Sequence, residues 1–572
     1  MSWEKEYKKW LEFDTLNGDL RVQLEKMIDE GAIKESFYNN LEFGTGGMRG
    51  ELGPGINRMN IYTVRRAAEG LANYIEEKGA AFKKRGVVVA YDSRHFSQEF
   101  AIETAKVMGA HNIPTYIFTS LRPTPELSFA VRYLKTAAGV MITASHNPPE
   151  YNGYKVYNEE GGQVPPEQAE QIIQKVNKVE DELTVPVLTK EELEQKQLLR
   201  WIDEEIDKEY LRRLKEISLN PTILKEHADN LNVVFTPLHG TSYHLVKEGL
   251  GQIGIRNVNI VEEQATPDPE FSTVQSPNPE EHQAFEMAIQ YGEKTNADIL
   301  IGTDPDADRL GVAVKNHNDV YQVLTGNQLG ALLLDYILKN TEQLPDNGVL
   351  IKTIVTSEFG KAIASHYGVK TLNTLTGFKF IGEKIQEFEE TGQNTFLFGY
   401  EESYGFLISD FARDKDAVQA AVLACEMAAV YKAEGKSLYE ALEELYEKHG
   451  YYLEDLHSIT LKGIEGTEKI KNIMSKFRKD PIVEIGSMSV EVVEDYQSQE
   501  RRHLRSGEIE PIHLPKSNVV KFVLNDDCWF CLRPSGTEPK IKFYFAVKSN
   551  SYRNSLQKLE EIKDHVLAQI HF

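Results

Sequence analysis

A serine and a histidine stand side by side in the segment MITASHNPPEYNGYKVYN (141–158), with two prolines, an Asn-Gly pair and Lys155 after them. A nucleophilic serine needs a base within hydrogen-bond reach. The apolar run before Ser145 predicts a buried strand, and in an extended continuation the side chains of residues 145 and 146 diverge. His146 is then badly placed to deprotonate its neighbour, which disfavours a hydrolase triad. Two readings of Ser145 remain. It carries a phosphoryl group, in which case the base must serve the acceptor hydroxyl, or it is a loop serine with a turn or capping role.

Three further stretches hold residue types suited to chemistry. In ADILIGTDPDADRLGVAV (297–314), Asp304, Asp306 and Asp308 alternate beyond a strand. Three carboxylates that close repel one another unless a cation sits between them, and oxygen-only ligands suit Mg²⁺ or Ca²⁺. An EF-hand does not fit: counted from Asp304, position six is Arg309 rather than glycine, and position twelve is Lys315 rather than glutamate. Arg309 can pair with a phosphate beside the cation. The plainer alternative, a solvated acidic turn, is weakened by the strands on both sides.

In FLFGYEESYGFL (396–407), Glu401, Glu402 and Ser403 lie in a glycine-flanked turn at a strand end, where carboxylates suit sugar hydroxyls. Just downstream, Lys415 stands between two aspartates in ISDFARDKDAV (408–418). It reads as a surface salt bridge or, if desolvated, as an acid/base group. In CLRPSGTEPKIKFY (531–544), Arg533, Ser535, Gly536 and Thr537 gather a guanidinium, two hydroxyls and glycine-exposed N–H groups into an anion cradle. A hairpin turn alone would need only the glycine. Two loops either line the same cleft or are turn chemistry: FGTGGMRGELGPG (43–55), read as a flexible glycine loop carrying Arg49, and YDSRHFS (91–97), with Arg94 at a strand end.

The elements that must position these residues follow a repeating rhythm. RGVVVAYDSR (85–94) is a buried-strand pattern followed by a helix that Ser97 is expected to cap, with Glu99 in its first turn. NVVFTPLHG (232–240), ADILIGTD (297–304) and GVLIKTIVTS (348–357) repeat the pattern. Strand–loop–helix repetition implies α/β layers with mixed or parallel sheets, and sites in the loops beyond the strand ends. The last stretch groups the strands YLEDLHSITL, VVKFVLND, WFCLRPSG and KIKFYFAVKS with a final helix, an α+β pattern. The charged helical stretch 189–217 is read as a domain boundary. The loop ATPDPEFSTVQSPNPEE (265–281) carries four prolines and is either functional or a surface excursion.

At 572 residues the chain is expected to hold several domains. Its formal charge of −24 argues against a general nucleic-acid binder, so an anionic ligand must meet locally gathered positive charge. The N-terminus lacks a signal-peptide pattern, and no run approaches a membrane span. The three cysteines make no disulfide framework, and Cys528 and Cys531 fall on a strand pattern without a second Cys/His pair. A reducing cytoplasm fits.

TASHNPPEYNGYK, GTDPDADR, GYEESYG and RPSGTEP, in this order along essentially the whole chain, resemble the α-D-phosphohexomutase superfamily of phosphoglucomutases and phosphomannomutases. GTGGMRG and TASHNPPEYNGYKVY are most similar to the group that holds the bacterial phosphoglucomutase/phosphomannomutase enzymes and the mammalian-type phosphopentomutases. The resemblance implies four domains around a central cleft, three topologically related α/β domains and a C-terminal α+β domain. It implies boundaries of 1–205 with the phosphoserine loop, 206–325 with the metal loop, 326–450 with the sugar loop and 451–572 with the phosphate loop.

It also implies site residues. Ser145 matches the phosphoserine, and Asp304, Asp306 and Asp308 match the ligands of one Mg²⁺, with Ser145 joining them through its phosphate. Glu401 and Ser403 match sugar contacts, and Lys379 in TGFKFIG (376–382) matches a sugar or phosphate contact. Arg533, Ser535, Gly536 and Thr537 match the site of the non-reacting phosphate. Thr45, Arg49, His146, Lys155 and Arg309 match positions near the phosphoserine. Dual-specificity bacterial phosphomannomutases have a histidine shortly after the sugar-binding serine, where this chain has Gly405. The base must then come from elsewhere: Lys415, as in glucose-type members, with His146 and Lys155 as alternatives.

The implied activity interconverts a sugar 1-phosphate and 6-phosphate, glucose first and mannose or pentose as alternatives. A sugar bisphosphate, glucose 1,6-bisphosphate for glucose, is both intermediate and activator. The implied partners are small sugar phosphates, with no nucleic acid, membrane or obligate protein partner. Two rivals are a phosphatase with a nucleophile in the Asp304 loop and a phosphosugar sensor without turnover, which would have no reason to keep Ser145 and all three aspartates.

Overall fold

The structure, a computed structural model, describes residues 2–44, 46–461, 463–535 and 540–570, without the side chains of 463 and 464. The chain packs as two compact units. Unit 1 is Met1–Gly326 with Phe378–Ser437, and unit 2 is Asn327–Gly377 with Leu438–Phe572.

Unit 1 opens with three helices, Trp3–Glu12, Gly18–Lys26 and Glu30–Phe37. They close on an aromatic core around Trp10 and Phe37, with the Trp10 indole N–H donating to Glu182 at 2.8 Å. The first sheet comprises β1 (Gly47–Glu51), β2 (Val87–Tyr91), β3 (Thr115–Phe118), β4 (Ala138–Ile142), β5 (Tyr151–Tyr157) and β6 (Leu199–Ile202), in the order β1-β5-β4-β2-β3-β6. The central strands β2 and β4 are parallel and buried along their length, as their unbroken apolar runs require.

Three expectations are corrected here. The glycine stretch 43–55 is not simply a flexible loop: Gly47–Glu51 forms an edge strand paired antiparallel with β5, Arg49 facing Gly153. The stretch 189–217 is not one helix, because Leu199–Ile202 pairs parallel with β3 between two helices. Ser97 does not cap its helix. Phe96 takes the cap position with φ +64, and the Ser97 hydroxyl donates to Asp92 at 2.8 Å.

The second sheet holds β7 (Val233–Thr236), β8 (Val258–Ile260), β9 (Ile299–Thr303), β10 (Leu310–Lys315) and β11 (Tyr321–Val323), in the order β11-β10-β9-β7-β8. β9 enters the aspartate loop and β10 returns antiparallel from it. The helix Ala417–Ala433 is apolar on nearly every face and buried accordingly, in contact with β9 and β10.

In unit 2, β12 (Gly348–Thr353) and β13 (Lys370–Thr374) pair in parallel. Back in unit 1, β14 (Thr395–Glu401) and β15 (Gly405–Leu407) form a hairpin through the turn 402–404. The C-terminal region of unit 2 is one large antiparallel sheet. Its strands β16 (Tyr451–Thr460), β18 (Met488–Asp495), β19 (Glu500–His503), β20 (Ile509–Pro511), β21 (Val520–Leu524), β22 (Trp529–Pro534) and β23 (Lys540–Ser549) run in the order β16-β23-β22-β21-β18-β19-β20, with the short β17 (Glu484–Ile485) on β18. The helices Gly463–Lys479 and Tyr552–Ala568 contribute to its core. The three cysteines are buried and free. Among the described residues no helix is long and apolar enough to cross a membrane.

Candidate active site

The serine turn follows β4. Ser145 has φ +52, a left-handed conformation that a serine adopts at a cost of about 1 kcal/mol or more. The strain is held from two sides. The Ser145 N–H donates to Thr143 Oγ1 at 2.8 Å. The buried Arg94 guanidinium, paired with Asp92, donates to the carbonyls of Ser145 (2.6 Å), Pro148 (2.8 Å), Tyr151 (2.9 Å) and Asn147. Gly153 lets β5 pass close: a Cβ there would lie 2.5 Å from the Thr143 carbonyl oxygen.

This turn overturns the expected divergence of residues 145 and 146. Because the backbone bends rather than extends, His146 Nδ1 comes within 3.2 Å of Ser145 Oγ. The hydroxyl itself donates to Asp304 Oδ2 at 2.7 Å. Burial, with Arg309 and Arg49 nearby, pushes His146 well below the ordinary imidazole range, so its ring is neutral.

Asp304, Asp306 and Asp308 are all buried, and one carboxylate oxygen from each lies within 4.8 Å of the others. Ala307 turns with φ +54 to bring them round, and Asp304 Oδ1 accepts the N–H groups of Asp308 and Arg309, both at 3.0 Å. Asp306 Oδ2 accepts from Lys155 Nζ at 2.7 Å and from Thr124 Oγ1 at 2.9 Å. Asp308 Oδ2 meets Lys415 Nζ at 3.0 Å. Asp306 Oδ1 and Asp308 Oδ1 are buried without a hydrogen-bond partner.

Two orphaned carboxylate oxygens beside a third carboxylate are a donor set that fits a hard divalent cation. The pKa directions show the same frustration. Burial and the charges of Asp306 and Asp308 push Asp304 well up. For Asp306, burial is outweighed by Lys155, and the carboxyl is held far below its usual range. Arg309 forms an ion pair with Glu280.

The Lys415 side chain is buried, and its stem lies across Gly405: a Cβ on residue 405 would sit 2.2 Å from Lys415 Cδ. A side chain at 405 and the lysine stem therefore compete for one space. Burial alone would depress the lysine, but Asp308 and Asp414 outweigh it and raise its pKa. Glu401 is buried at the end of β14, close enough for its charge to act on Lys415 and Arg309. Ser403 is half-buried in the turn, and Tyr404 closes it with φ +65.

Ser145, His146, Lys155, Arg309, Lys415 and the three aspartates thus come together in unit 1. Arg49 is exposed and reaches Asn147 Oδ1 at 2.8 Å, at the rim of the serine turn. Lys379 lies in the first turn of the helix Phe378–Thr391, where burial lowers its pKa. Arg533 and Ser535 belong to unit 2. The Arg533 guanidinium donates to Tyr544 Oη at 3.3 Å, and the Ser535 N–H donates to the Lys540 carbonyl at 2.7 Å. Gly536, Thr537 and Thr45 lie outside the described residues.

Sequence reasoning left Arg94 undecided, saw in the aspartates beside Lys415 only a surface ion pair, and did not reach Thr124, Tyr157 or Glu280. A buried-strand pattern ending in Asp92-Ser-Arg94 was the available signal for Arg94. The others depend on contacts between segments distant in sequence, for which spacing gives no cue.

Three family models match the chain, described as phosphoglucomutase/phosphomannomutase alpha/beta/alpha domain I over residues 40–183, domain II over 208–318 and domain III over 325–449. The phosphoglucomutase of Staphylococcus aureus (strain USA300) is 42% identical over 528 residues, covering 92% of this chain and 93% of that protein. The phosphoglucomutase of Staphylococcus epidermidis is 40% identical over 550 residues, covering 94% and 98%. Among solved structures, Paramecium parafusin in its open form aligns with a TM-score of 0.70 at 17% identity, over 93% of this chain and 95% of that one. A phosphoglucomutase/phosphomannomutase family protein of Burkholderia thailandensis aligns at 0.66 and 17%, over 92% and 97%. These two likenesses concern the fold. Three α/β/α domains followed by a sheet-rich C-terminal domain are the fold class expected from the sequence.

Proposed function

Because the chain belongs to the phosphoglucomutase/phosphomannomutase family, we propose that it is a phosphoglucomutase. It interconverts α-D-glucose 1-phosphate and glucose 6-phosphate through phospho-Ser145 and glucose 1,6-bisphosphate. Glucose is favoured over mannose and pentose because the relatives at 42% and 40% identity are phosphoglucomutases. The observation that carries the chemistry is the buried Ser145 Oγ, 2.7 Å from Asp304, beside carboxylate oxygens that lack partners. On this reading the domains end at 205, 325, 450 and 572, each supplying one loop of the reaction.

Asp304, Asp306 and Asp308, with the phosphoserine, would hold one Mg²⁺, which when bound offsets the charge of the transferring phosphoryl group. The chain's own residues do the remaining work. Lys155 and Arg309 flank the transfer, Arg309 exchanging Glu280 for a phosphate oxygen. Glu401, Ser403 and Lys379 hold the sugar, and Arg533 with Ser535, Gly536 and Thr537 grips the phosphate that is not reacting.

In the first transfer the P–O bond to Ser145 breaks and a P–O bond to the free sugar hydroxyl forms. The hydroxyl proton passes to Lys415, which Asp308 and Asp414 favour as the ammonium in the substrate-free site and which acts as base once neutral. The departing Ser145 oxygen takes up a proton through its contacts with Asp304 and His146. After the intermediate turns round, Ser145 Oγ attacks the other phosphate. Its proton leaves through its contacts with Asp304 and the neutral His146, and Lys415 returns a proton to the departing sugar oxygen.

Intact mass before and after incubation with glucose 1,6-bisphosphate and Mg²⁺ tests the reading. One added phosphoryl group at Ser145, discharged by glucose 1-phosphate, is expected. No gain at Ser145 with glucose, mannose or ribose bisphosphates would leave a protein that binds without turnover, and steady phosphate release would favour the phosphatase. Ser145→Ala is expected to abolish the gain and nearly all turnover in a folded protein. Comparing kcat/KM for glucose, mannose and ribose 1-phosphates decides the sugar.

A further inference from the structure

We infer that Asp414, clamped by Tyr157 and Gln163, is the positioning residue for Lys415, an inference that rests on Lys415 being the proton-transfer group. The Asp414 carboxylate is 1% exposed, and four donors converge on it. Tyr157 Oη–H and Gln163 Nε2–H donate to Oδ2, each at 2.8 Å. The Lys415 backbone N–H donates to Oδ1 at 2.8 Å, and Lys415 Nζ reaches the same oxygen at 3.3 Å. With donors on both oxygens, the carboxylate cannot rotate without breaking a buried hydrogen bond.

A lysine has a flexible four-carbon stem and cannot by itself aim its amine. Here the amine is fixed between two carboxylates, Asp414 at 3.3 Å and Asp308 at 3.0 Å, while Gly405 leaves room for the stem. The flanking residues are tied down as well. The Arg413 N–H donates to Ser128 Oγ at 2.8 Å. Asp416 accepts from Tyr210 Oη on both oxygens (2.8 and 2.7 Å) and caps the helix Ala417–Ala433 through the N–H groups of Val418 and Gln419.

β5 links this clamp to the aspartate trio. Lys155 and Tyr157 are two residues apart on the strand and so share a face. Lys155 holds Asp306 at 2.7 Å, and Tyr157 holds Asp414. One strand thereby sets the placement of the amine relative to the carboxylates beside Ser145. Nothing in the isolated motif RDKDA signals this, because Tyr157 and Gln163 lie more than 200 residues earlier.

The test compares kcat and KM for glucose 1-phosphate, with glucose 1,6-bisphosphate and Mg²⁺ present, in Asp414→Asn, Lys415→Met and the double variant. Misplacing a reacting group by an ångström costs up to about 100-fold in rate, so Asp414→Asn is expected to lower kcat roughly 10- to 100-fold with KM changed less than about 3-fold. If Asp414 acts through Lys415, the double variant matches Lys415→Met to within about 2-fold. An equal loss of kcat in both backgrounds would overturn the inference and make Asp414 merely structural, as would a change confined to KM. Lys415→Met at full kcat would instead remove the proton-transfer reading on which the inference stands. Should Asp414→Asn not fold, Tyr157→Phe keeps the carboxylate and removes one donor. Its kcat is expected to fall in the Lys415 background and to be unchanged beside Met, and a fall in both would overturn the inference.

Discussion

Gly405 and Lys415 occupy one volume between them, and this decides what each can be. The φ of Gly405 is not in the left-handed region, so alanine meets no backbone strain there. Its Cβ would nonetheless lie 2.2 Å from Lys415 Cδ and 2.8 Å from Cγ, and the lysine would have to swing away. Gly405→Ala is therefore expected to lower kcat by about 10-fold or more while KM moves little, since proton transfer needs the amine within reach. Steady-state kinetics checks this, and an unchanged kcat would mean that Lys415 does not act from where it lies. At this scale the sequence was informative wherever spacing alone defines a site. Three aspartates at alternate positions must converge in a tight loop, and they do. It was uninformative about Ser145 and His146, because their proximity follows from one left-handed φ that no local pattern requires. It left Arg94 undecided, because the partners that fix its role are backbone carbonyls.

Among the elements, the proline-rich segment 265–281 shows what a loop without regular structure can do. It is not a bare surface excursion. Phe271 is 1% exposed and lies beneath the Arg94 guanidinium, 5.0 Å from ring centre to Cζ. Glu270 pairs with His95 at 2.5 Å, Asp268 accepts the N–H groups of Glu270 and Ser272, and Glu280 pairs with Arg309. The segment thus rests against both the arginine that holds the serine turn and the arginine beside the aspartates. Phe271→Ala removes a buried ring, which typically costs about 3–5 kcal/mol, and lets Arg94 move. Urea unfolding is expected to register that loss, and the rate of Ser145 phosphorylation is expected to fall with it. A destabilised protein with an unchanged phosphorylation rate would confine Phe271 to packing. The strands and helices themselves were largely legible, because buried parallel strands read as unbroken apolar runs. The strands of residues 488–511 were not: β19 is ERRH, polar throughout, β20 spans three residues, and β18 is irregular between Val490 and Val492.

For the molecule as a whole, a net charge of −24 coexists with locally gathered cations, as the proposed anionic substrate requires. Unit 1 does so by setting Lys155, Arg309 and Lys415 against three aspartates. Unit 2 shows the reverse arrangement: one carboxylate, Glu358, between buried lysines. Lys352 Nζ lies 3.1 Å from Glu358, and Lys521 Nζ lies 3.7 Å from it, over the Trp529 ring at 4.2 Å. Burial would raise the glutamate, but Lys352 and Lys521 outweigh it and hold its pKa at about 2. Burial depresses Lys352 to about 8, partly opposed by Glu358. The signs differ. Glu358 binds its proton more weakly when folded, so it contributes stability above pH 4.5 that is lost as pH falls toward 2. The shift corresponds to roughly 3 kcal/mol. The protonated Lys352 costs stability below pH 8, and that cost is relieved as pH rises toward 10.5. Glu358→Gln leaves both lysines buried without their counter-ion, and breaking a buried pair from one side costs about 3–5 kcal/mol. Urea unfolding near pH 7, followed through Trp529 with the other three tryptophans replaced, is expected to show that loss. As pH falls from 4.5 toward 2, the difference between native protein and variant is expected to shrink, because protonation removes the same charge from Glu358. A difference that stayed constant over that range would assign the effect of the substitution to packing rather than to charge.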